Sequence, residues 1–415
     1  MMREAKSSGI AWIGTIPKCW ETDKLKYHLR RNEPRNPGDV VVLSLYRELG
    51  VIPKDSRDDN HNVTSEDTSK YKYVRPGDFV INKMKAWQGS VAVSEYEGIV
   101  SPAYFVYEFT DDTIFKRYFH YLLRSCYKDE FMRLSGGIRV GQWDLPADAL
   151  ENTPILIPPM DEQCRIADFL DTKCAEIDAL TAGIQTQIDT LEQYKRSVIT
   201  ETVTKGLNPN AEMKDSGIQW IGDMPVHWNV IRGKYILHYM QKPVREDDGV
   251  ITCFRDGEVT LRSNRREEGF TMSDKEIGYQ GIDVGDLVVH GMDGFAGSIG
   301  ISDSRGKASP VLNVLETDQN KRYIMYYLRS MAYSDVFLAL ATGIRVRSCD
   351  LRWNKLADLS YPVPPLDEQK AIVEHIDAVL AKADAVISDK KAQLATLDEY
   401  KKSLIFEYVT GKKEV

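Results

Sequence analysis

One long heptad pattern occurs twice in this sequence, and the duplication restricts the fold more than any other feature. Between residues 161 and 203, apolar side chains recur every seven positions, at Leu170, Ile177, Ile184, Leu191 and Val198. This spacing maintains an apolar seam along a helix, as in a coiled-coil strand or one arm of an antiparallel helical pair. At 1.5 Å per residue the helix would be roughly 60 Å long, which is too long for burial in one compact domain. We therefore expect it to run between separate domains.

The second seam is weaker because a lysine interrupts it. Its residues are Ile376, Ala383, Lys390, Leu397 and Leu404. Other apolar residues are expected to fill the spaces between seam positions, namely Ile166, Leu180, Ile188 and Tyr194 in the first copy and Val386, Leu394 and Tyr400 in the second. An antiparallel arrangement of the two helices would place one domain at each end of a rod. The rod would then fix the distance between the domains.

Short sequences at the helix ends are also duplicated. Residues 158–163 (Pro-Pro-Met-Asp-Glu-Gln) return at 364–369, and residues 192–197 return at 398–403, both 206 positions later. Residues 8–14 (Ser-Gly-Ile-Ala-Trp-Ile-Gly) return at 216–222, 208 positions later. Unrelated helices would not share entry and exit sequences, so the chain is an internal repeat. The tryptophans near Gly and Pro are more typical of a packed turn than of a ligand contact.

The segments between the helices have the composition of short strands with one helix. Strands are predicted at 40–45, 79–83, 90–93 and 103–107, and at 286–290, 298–301 and 311–315 in the second half, with a helix at 115–134. This pattern predicts an α+β fold with two similar domains joined by two long antiparallel helices. The predicted boundaries are 1–155 for the first domain, 156–208 for the central helix, 209–360 for the second domain and 361–415 for the C-terminal helix.

Composition gives broader bounds. The 415 residues are 42% hydrophobic, enough for real cores. No signal peptide or membrane-spanning stretch is recognisable, so we expect a cytoplasmic protein. The six cysteines form no Cys-x-x-Cys pair and the histidines do not pair at metal spacing, so no metal site is expected. The helical segments hold 13 basic and 19 acidic residues and thus carry six of the eight surplus negative charges. The domains are nearly neutral and could present a basic face to DNA.

The two halves differ most in their polar loops, at 46–73 and 254–279. A shared scaffold with divergent loops is how a protein would read two unlike targets at a fixed distance. Arginine can bond guanine bidentately, and lysine neutralises phosphate. For any single basic residue, a solvated surface charge is the commoner role. The candidate DNA-binding residues are Arg47, Lys54, Arg57, Lys83, Lys85, Trp87, Gln88, Arg139, Arg255, Arg262, Arg265, Arg266, Arg345 and Arg347.

Catalytic motifs are not found. The Pro-Pro pairs stand at the helix starts rather than in the Asn/Asp-Pro-Pro-Tyr/Phe motif of an adenine methyltransferase, and no P-loop is present. No catalytic residue is therefore assigned. Two alternatives to DNA recognition remain, a scaffold that binds only proteins and a self-contained DNA-modifying enzyme. Absence of DNA protection by the reconstituted complex would favour the former, and methylation or cleavage by the isolated chain the latter.

Four sequence features together resemble the DNA-specificity subunit of type I restriction-modification systems. They are the repeated Ser-Gly-Ile-x-Trp-Ile-Gly-x-x-Pro-x-x-Trp motif, the run at 83–89 (Lys-Met-Lys-Ala-Trp-Gln-Gly), the run at 98–104 (Gly-Ile-Val-Ser-Pro-Ala-Tyr) and the doubled Pro-Pro-x-Asp-Glu-Gln helix start. The resemblance covers essentially the whole chain. Lys390 and the replacement of Gly141-Gln142-Trp143 by Arg347-Ser348-Cys349 depart from a strict repeat.

The resemblance implies a non-catalytic subunit that binds double-stranded DNA. Each target-recognition domain would bind one half of a bipartite site. The antiparallel helices would dock two methyltransferase subunits, and a restriction motor-nuclease subunit would join the larger complex. S-adenosylmethionine, ATP and Mg would then belong to those partners, with no cofactor in this chain.

Overall fold

The structure, a computed structural model, describes residues 3–38, 40–46, 49–56, 64–65, 67–137, 143–265, 277–340 and 351–415. It divides into two compact units. The first, the N-terminal unit, comprises Met1–Ile184 and Ala392–Val415, and the second, the C-terminal unit, comprises Gln185–Lys391. Each unit therefore contains one globular domain and a part of each long helix.

The N-terminal unit is built from short strands and short helices. Its strands are β1 (Ala5–Ser7), β2 (Thr15–Pro17), β3 (Glu21–Lys24), β4 (Leu29–Arg31), β5 (Leu43–Tyr46), β6 (Gly50–Pro53), β7 (Lys72–Val74), β8 (Phe79–Asn82), β9 (Val91–Val93), β10 (Gly98–Val100), β11 (Tyr104–Phe109) and β12 (Pro154–Ile157). Its short helices are α1 (Leu25–His28), α2 (Lys116–Cys126), α3 (Lys128–Leu134) and α4 (Ala147–Glu151), and the long helix α5 (Met160–Lys205) begins here.

The central sheet of this unit has the strand order β4-β11-β8-β9, with antiparallel neighbours. Successive side chains of a strand point to opposite faces, so β8 and β11 supply two cores. Phe79, Ile81 and Phe105 belong to the core that contains α2 and the start of α5. Val80 and Val106 belong to a smaller core with the hairpin of β5 and β6. The sheet is thus covered on both faces.

The C-terminal unit repeats this architecture. Its strands are β13 (Met213–Asp215), β14 (Asp223–Pro225), β15 (Asn229–Arg232), β16 (His238–Met240), β17 (Ile251–Cys253), β18 (Val259–Leu261), β19 (Gln280–Ile282), β20 (Leu287–His290), β21 (Ile299–Ile301), β22 (Gly306–Ala308), β23 (Leu312–Glu316) and β24 (Ser360–Val363). Its helices are α6 (Lys321–Tyr333), α7 (Val336–Ala339) and α8 (Trp353–Asp358), followed by the long helix α9 (Leu366–Val409). The central sheet has the equivalent order β16-β23-β20-β21.

The long helices α5 and α9 run antiparallel within each unit. In the N-terminal unit Asp178 pairs with Lys401 at 2.6 Å, and the rings of Phe169 and Tyr408 lie 4.4 Å apart. In the C-terminal unit Lys195 pairs with Asp384 at 2.6 Å. As the residue number increases along α5, the number of its partner on α9 decreases, so the two helices run in opposite directions. The predicted α+β fold, with two similar domains and two long helices, is confirmed.

Burial along α5 and α9 differs from the predicted seam in one respect. Four apolar residues three positions after a seam residue are exposed, at 58% for Leu180, 51% for Tyr194, 43% for Val386 and 54% for Tyr400. By contrast, Cys174, Ile188 and Ile387, four positions after a seam residue, are buried. At 3.6 residues per turn, a step of four leads the seam by about 40° and a step of three lags it by about 60°. The buried face of each helix is therefore rotated from the seam towards the positions four residues after it and away from the positions three residues after it.

The seam residues themselves are buried to different degrees. Leu170, Ile177, Ile376 and Leu404 are at most 5% exposed, whereas Ile184, Leu191, Val198 and Leu397 are half-buried. One further difference concerns the predicted helix at 115–134, which is two helices, α2 and α3, separated at Tyr127. Tyr127 is fully buried and donates a hydrogen bond to the Pro154 carbonyl, which fixes this break.

Candidate nucleic-acid interface

The duplicated tryptophan motif and the duplicated helix start contact each other within each unit. Trp20 is fully buried, and its Nε1 donates to Glu162 at 3.0 Å. Trp228 is likewise fully buried, and its Nε1 donates to Glu368 at 3.1 Å. Each tryptophan thus links the N-terminal segment of its domain to the first turn of a long helix. The interpretation of these tryptophans as packed turns agrees with this burial.

The glutamine that follows each glutamate also has a structural role. Gln163 donates to the carbonyls of Pro158 and Thr113 and accepts from the Phe115 N–H, each at 2.8 Å. Gln369 donates to the Pro364 carbonyl at 2.8 Å and accepts from the Asn320 N–H at 2.9 Å. These bonds tie the segments before α2 and α6 to the starts of α5 and α9. The duplicated motifs therefore form scaffold, and functional differences must come from the surfaces that are not duplicated.

In the N-terminal unit, the run at 83–89 follows β8 and lies beside the segment at 143–145. Lys83 Nζ donates to Asp144 at 2.8 Å, and the rings of Trp87 and Trp143 are 5.6 Å apart in an edge-on arrangement. Lys85 is exposed, and Gln88 is half-buried in the turn at Ala86–Gln88. This surface combines an exposed cation with partly exposed aromatic rings, a combination that suits nucleic acid.

Two further cations lie beside Lys83 and were not among the candidates. Arg31 and Lys72 lie 4.4 and 5.4 Å from the centre of the Phe105 ring, and Lys83 lies at 6.0 Å. Glu33 accepts from both Arg31 and Lys72 at 2.8 Å. Lys72 falls within the polar loop at 46–73 that the sequence singled out, whereas Arg31 was overlooked and reaches this site through the pairing of β4 with β11. Strand pairing was the missing information.

Burial and charge oppose each other at this site. Burial lowers the pKa of Lys72 despite its hydrogen bond to Glu33. Burial alone would raise the pKa of Glu33, but the hydrogen bonds from Arg31 and Lys72 outweigh it and lower that pKa. The charged form of Glu33 is therefore stabilised by the two cations.

Lys54, from the same unit, is held away from open solvent. It is half-buried in the turn at Lys54–Ser56, its Nζ donates to the Thr64 hydroxyl, and its N–H donates to the Val42 carbonyl at 2.8 Å. Its ammonium would have to give up this hydroxyl in order to contact a phosphate.

The described arginine candidates of the C-terminal unit all have polar partners. Arg255 pairs with Asp293 at 3.2 Å, and Arg262 Nε donates to the Thr252 hydroxyl at 3.3 Å. Arg265 pairs with Asp256 at 2.5 Å and Glu258 at 3.1 Å, and stacks 4.2 Å from the centre of the Phe254 ring. A DNA contact through the guanidinium nitrogens that bond these carboxylates would require exchange of a carboxylate for a phosphate or base, whereas the remaining N–H groups of Arg255, which is 64% exposed, could make an additional contact.

Six of the candidates lie outside the described residues: Arg47, Arg57, Arg139, Arg266, Arg345 and Arg347. Two of them, Arg139 and Arg345, belong to the duplicated Gly-Ile-Arg-Val run. In the N-terminal unit, Gly136 and Asp144 exchange backbone hydrogen bonds of 3.1 and 2.9 Å on either side of this run.

Within the described part of the chain, no group of three or more His, Cys, Asp or Glu residues is arranged to hold a metal ion. The cysteines described there, Cys19, Cys126, Cys164, Cys174 and Cys253, are free thiols. None of the described helices is both long and apolar enough to cross a membrane.

Comparison with known proteins identifies relatives over nearly the whole chain. The type I restriction modification DNA specificity domain matches residues 28–190. The putative type I restriction enzyme MjaX specificity subunit of Methanocaldococcus jannaschii is 24% identical, with 97% of this chain and 96% of the relative covered. The MjaVIII specificity subunit of the same organism is also 24% identical, over 96% of this chain and 94% of the relative.

Solved structures support the fold. A structure reported for the complex assembly and conformational transition of a type I R-M system aligns with a TM-score of 0.69 at 15% identity, covering 96% of this chain and 99% of the other. The HsdS subunit of Thermoanaerobacter tengcongensis aligns with a TM-score of 0.50 at 16% identity, covering 96% and 98%. With its specificity domain, its relatives over nearly the full length and its duplicated fold, the chain is similar to the DNA-specificity subunits of type I restriction-modification systems.

Proposed function

We propose that this chain directs a type I restriction-modification complex to an asymmetric bipartite site in double-stranded DNA, with each domain reading one half. The observation that carries this proposal is the combination of a repeated scaffold with unlike surfaces. The two central sheets have equivalent strand orders, yet the N-terminal site has Lys83, Lys85 and Trp87 where the C-terminal unit has Gly291, Asp293 and Phe295. Different donors and acceptors at equivalent places of one fold select different bases.

Domain exchange tests this proposal. The domain at 209–360 is replaced by that of another family member with a known site, and the chimera is co-expressed with its methyltransferase. Sequencing of methylated adenines in the host should reveal a site in which one half is new and the other is unchanged. A reciprocal exchange of residues 1–155 serves as the matched control and should alter the opposite half. A change in both halves after a single exchange would refute modular reading.

The chain is further proposed to be non-catalytic and to dock two methyltransferase subunits on its long helices, with a restriction motor-nuclease joining the complex. S-adenosylmethionine, ATP and Mg would be bound by these partners. Support comes from the exposed apolar residues on the helices. Leu180 and Tyr400 lie in the N-terminal unit, and Val386 and Tyr194 occupy the equivalent positions, 206 residues apart, in the C-terminal unit. Like surfaces in both units suit two copies of one partner.

Native mass spectrometry of the co-purified complex tests this docking. Tyr400→Ala should weaken binding of one methyltransferase and lower the ratio of methyltransferase to this chain from two to one, because a large exposed aromatic side chain is lost from one surface only. Tyr194→Ala should do the same at the other surface, and the double variant should bind none. Tyr96→Ala, at a tyrosine that is 43% exposed outside the helices, is the control. Full two-to-one assembly by the double variant would exclude these tyrosines from the docking surface.

A further inference from the structure

Three cations converge on one aromatic ring in the N-terminal unit. The guanidinium of Arg31 and the ammonium groups of Lys72 and Lys83 lie 4.4, 5.4 and 6.0 Å from the centre of the Phe105 ring. Arg31 ends β4, Lys72 begins β7 and Lys83 follows β8, so the chain brings them together from three separate strands. Arg31, Lys72 and Lys83 form the Phe105 cluster.

Like charges this close repel one another unless counter-charges compensate. Glu33 bonds both Arg31 and Lys72, and Asp144 bonds Lys83. Two carboxylates thus bond the three cations directly, and the carboxylate of Glu151 acts on Arg31 from farther away. Partial burial increases the cost of holding three cations together, because a low-dielectric surrounding strengthens repulsion and removes hydration. A bound anion would relieve it.

The fold does not require these charges. In the C-terminal unit, 208 residues later, the equivalents of Arg31, Lys72 and Lys83 are Tyr239, Gln280 and Gly291. Gln280 Nε2 donates to the Leu312 carbonyl at 2.7 Å, just as Lys72 Nζ donates to the equivalent Tyr104 carbonyl. A neutral side chain therefore satisfies the same backbone group in the same sheet. The cationic residues are an addition made by the N-terminal unit alone.

The cations differ in accessibility. The side chain of Arg31 is 41% exposed and that of Lys83 is 30% exposed, whereas that of Lys72 is 14% exposed. Lys85 stands exposed two residues beyond Lys83. Arg31 and Lys83 can therefore reach an external anion with the donors that Glu33 and Asp144 leave unused, while the less exposed Lys72 stays bonded to Glu33 and contributes its charge without contacting the anion.

We propose that the Phe105 cluster is a binding site for a phosphate of the DNA backbone, contacted by Arg31 and Lys83, and that the equivalent place in the C-terminal unit lacks it. This assignment rests on the proposed function and adds that the two domains differ in their affinity for the DNA backbone. The N-terminal domain would supply sequence-independent, salt-sensitive affinity here, because each neutralised phosphate releases condensed counterions. It would not change which bases are read.

The test measures binding of the full chain, in complex with its methyltransferase, to a labelled duplex of scrambled sequence as the salt concentration is varied. Arg31→Gln and Lys83→Gln should each weaken binding about threefold to tenfold at low salt and reduce the slope of log affinity against log salt by about one. Lys24→Gln removes one charge from an exposed position of the same unit and should leave the slope unchanged. Arg31→Tyr, the residue that the C-terminal unit carries at this place, should behave like Arg31→Gln without loss of folding.

The outcomes distinguish failure of the phosphate site from failure of the proposed function. Affinities and slopes for the Arg31 and Lys83 variants that match those of Lys24→Gln would overturn the phosphate site while leaving the proposed function standing. A parent complex that binds no duplex and directs no methylation would instead refute the proposed function. Thermal unfolding of every variant identifies any loss of affinity that arises from unfolding, and Arg31→Tyr then decides the question. Methylated sites in cells carrying the variants should keep the same bases.

Discussion

Substitution of Gly411 tests how the end of α9 is fastened to the N-terminal unit. Gly411 follows α9 with a φ of 67°, a left-handed conformation that favours glycine. A Cβ at this position would lie 2.5 Å from Pro17 Cδ and 3.0 Å from Trp20 Cη2. Trp20 is the buried tryptophan that bonds Glu162 at the start of α5, so one position connects the end of one long helix to the start of the other within this unit.

The magnitude has two parts. A left-handed conformation costs a residue with a Cβ about 1 to 2 kcal/mol, and forcing a methyl into packed atoms costs about 1 to 3 kcal/mol more. Gly411→Ala should therefore lower the free energy of unfolding by about 2 to 5 kcal/mol. For a unit of the size of the N-terminal unit, this loss of stability corresponds to a fall in Tm of roughly 5 to 15 °C.

Gly9→Ala is the matched control in the same unit. Gly9 has a φ of 73°, but its Cβ would meet nothing within 4 Å, so only the backbone cost of about 1 to 2 kcal/mol applies. Both variants are compared with the parent by calorimetry or circular dichroism during heating. Equal Tm values for Gly411→Ala and Gly9→Ala would refute the packing of Gly411 against Pro17 and Trp20 as a source of stability.

Two other predictions concern the helices and the domain that packs on them. Ile177→Asp buries an unpaired charge and should lower the free energy of unfolding, measured in urea, by about 3 to 5 kcal/mol. Leu180→Asp, three residues later at a position that is 58% exposed, should lower it by less than about 1 kcal/mol. Equal losses for the two variants would contradict the observed packed face. Burial and the neighbouring Arg124 lower the pKa of His120 to about 4, below its ordinary value of 6.5. The unfolded chain thus binds the proton more readily, and stability that is complete above pH 6.5 falls as the pH approaches 4. His120→Gln should reduce this loss by about 3 kcal/mol, and unchanged pH dependence of unfolding would argue against burial of neutral His120.

Local patterns were sufficient to predict the elements and the duplication. Apolar spacing predicted α5 and α9 because a long helix requires periodic burial, and Gly206, with a φ of 75°, stands directly after the end of α5. Strands such as β8 and β20 were predicted to within a residue or two from β-branched and aromatic content. These signals depend on neighbours in the chain, and the repeat offsets of 206 and 208 then imply two similar domains.

Tertiary structure decided which side chains meet. A heptad pattern does not determine whether the residue three positions or the residue four positions after a seam residue is buried, because that depends on how the partner helix packs. In the structure, Leu180 is exposed and Ile188 is buried. The bond between Trp20 and Glu162 joins residues 142 positions apart, which no local pattern encodes. Likewise, the sequence identified Lys83 as a basic candidate, but only the pairing of β4, β11 and β8 brings Arg31 to the same aromatic ring. Charge type and periodicity are properties of the sequence, whereas charge pairing and the packed face of a helix are set by contacts between distant segments.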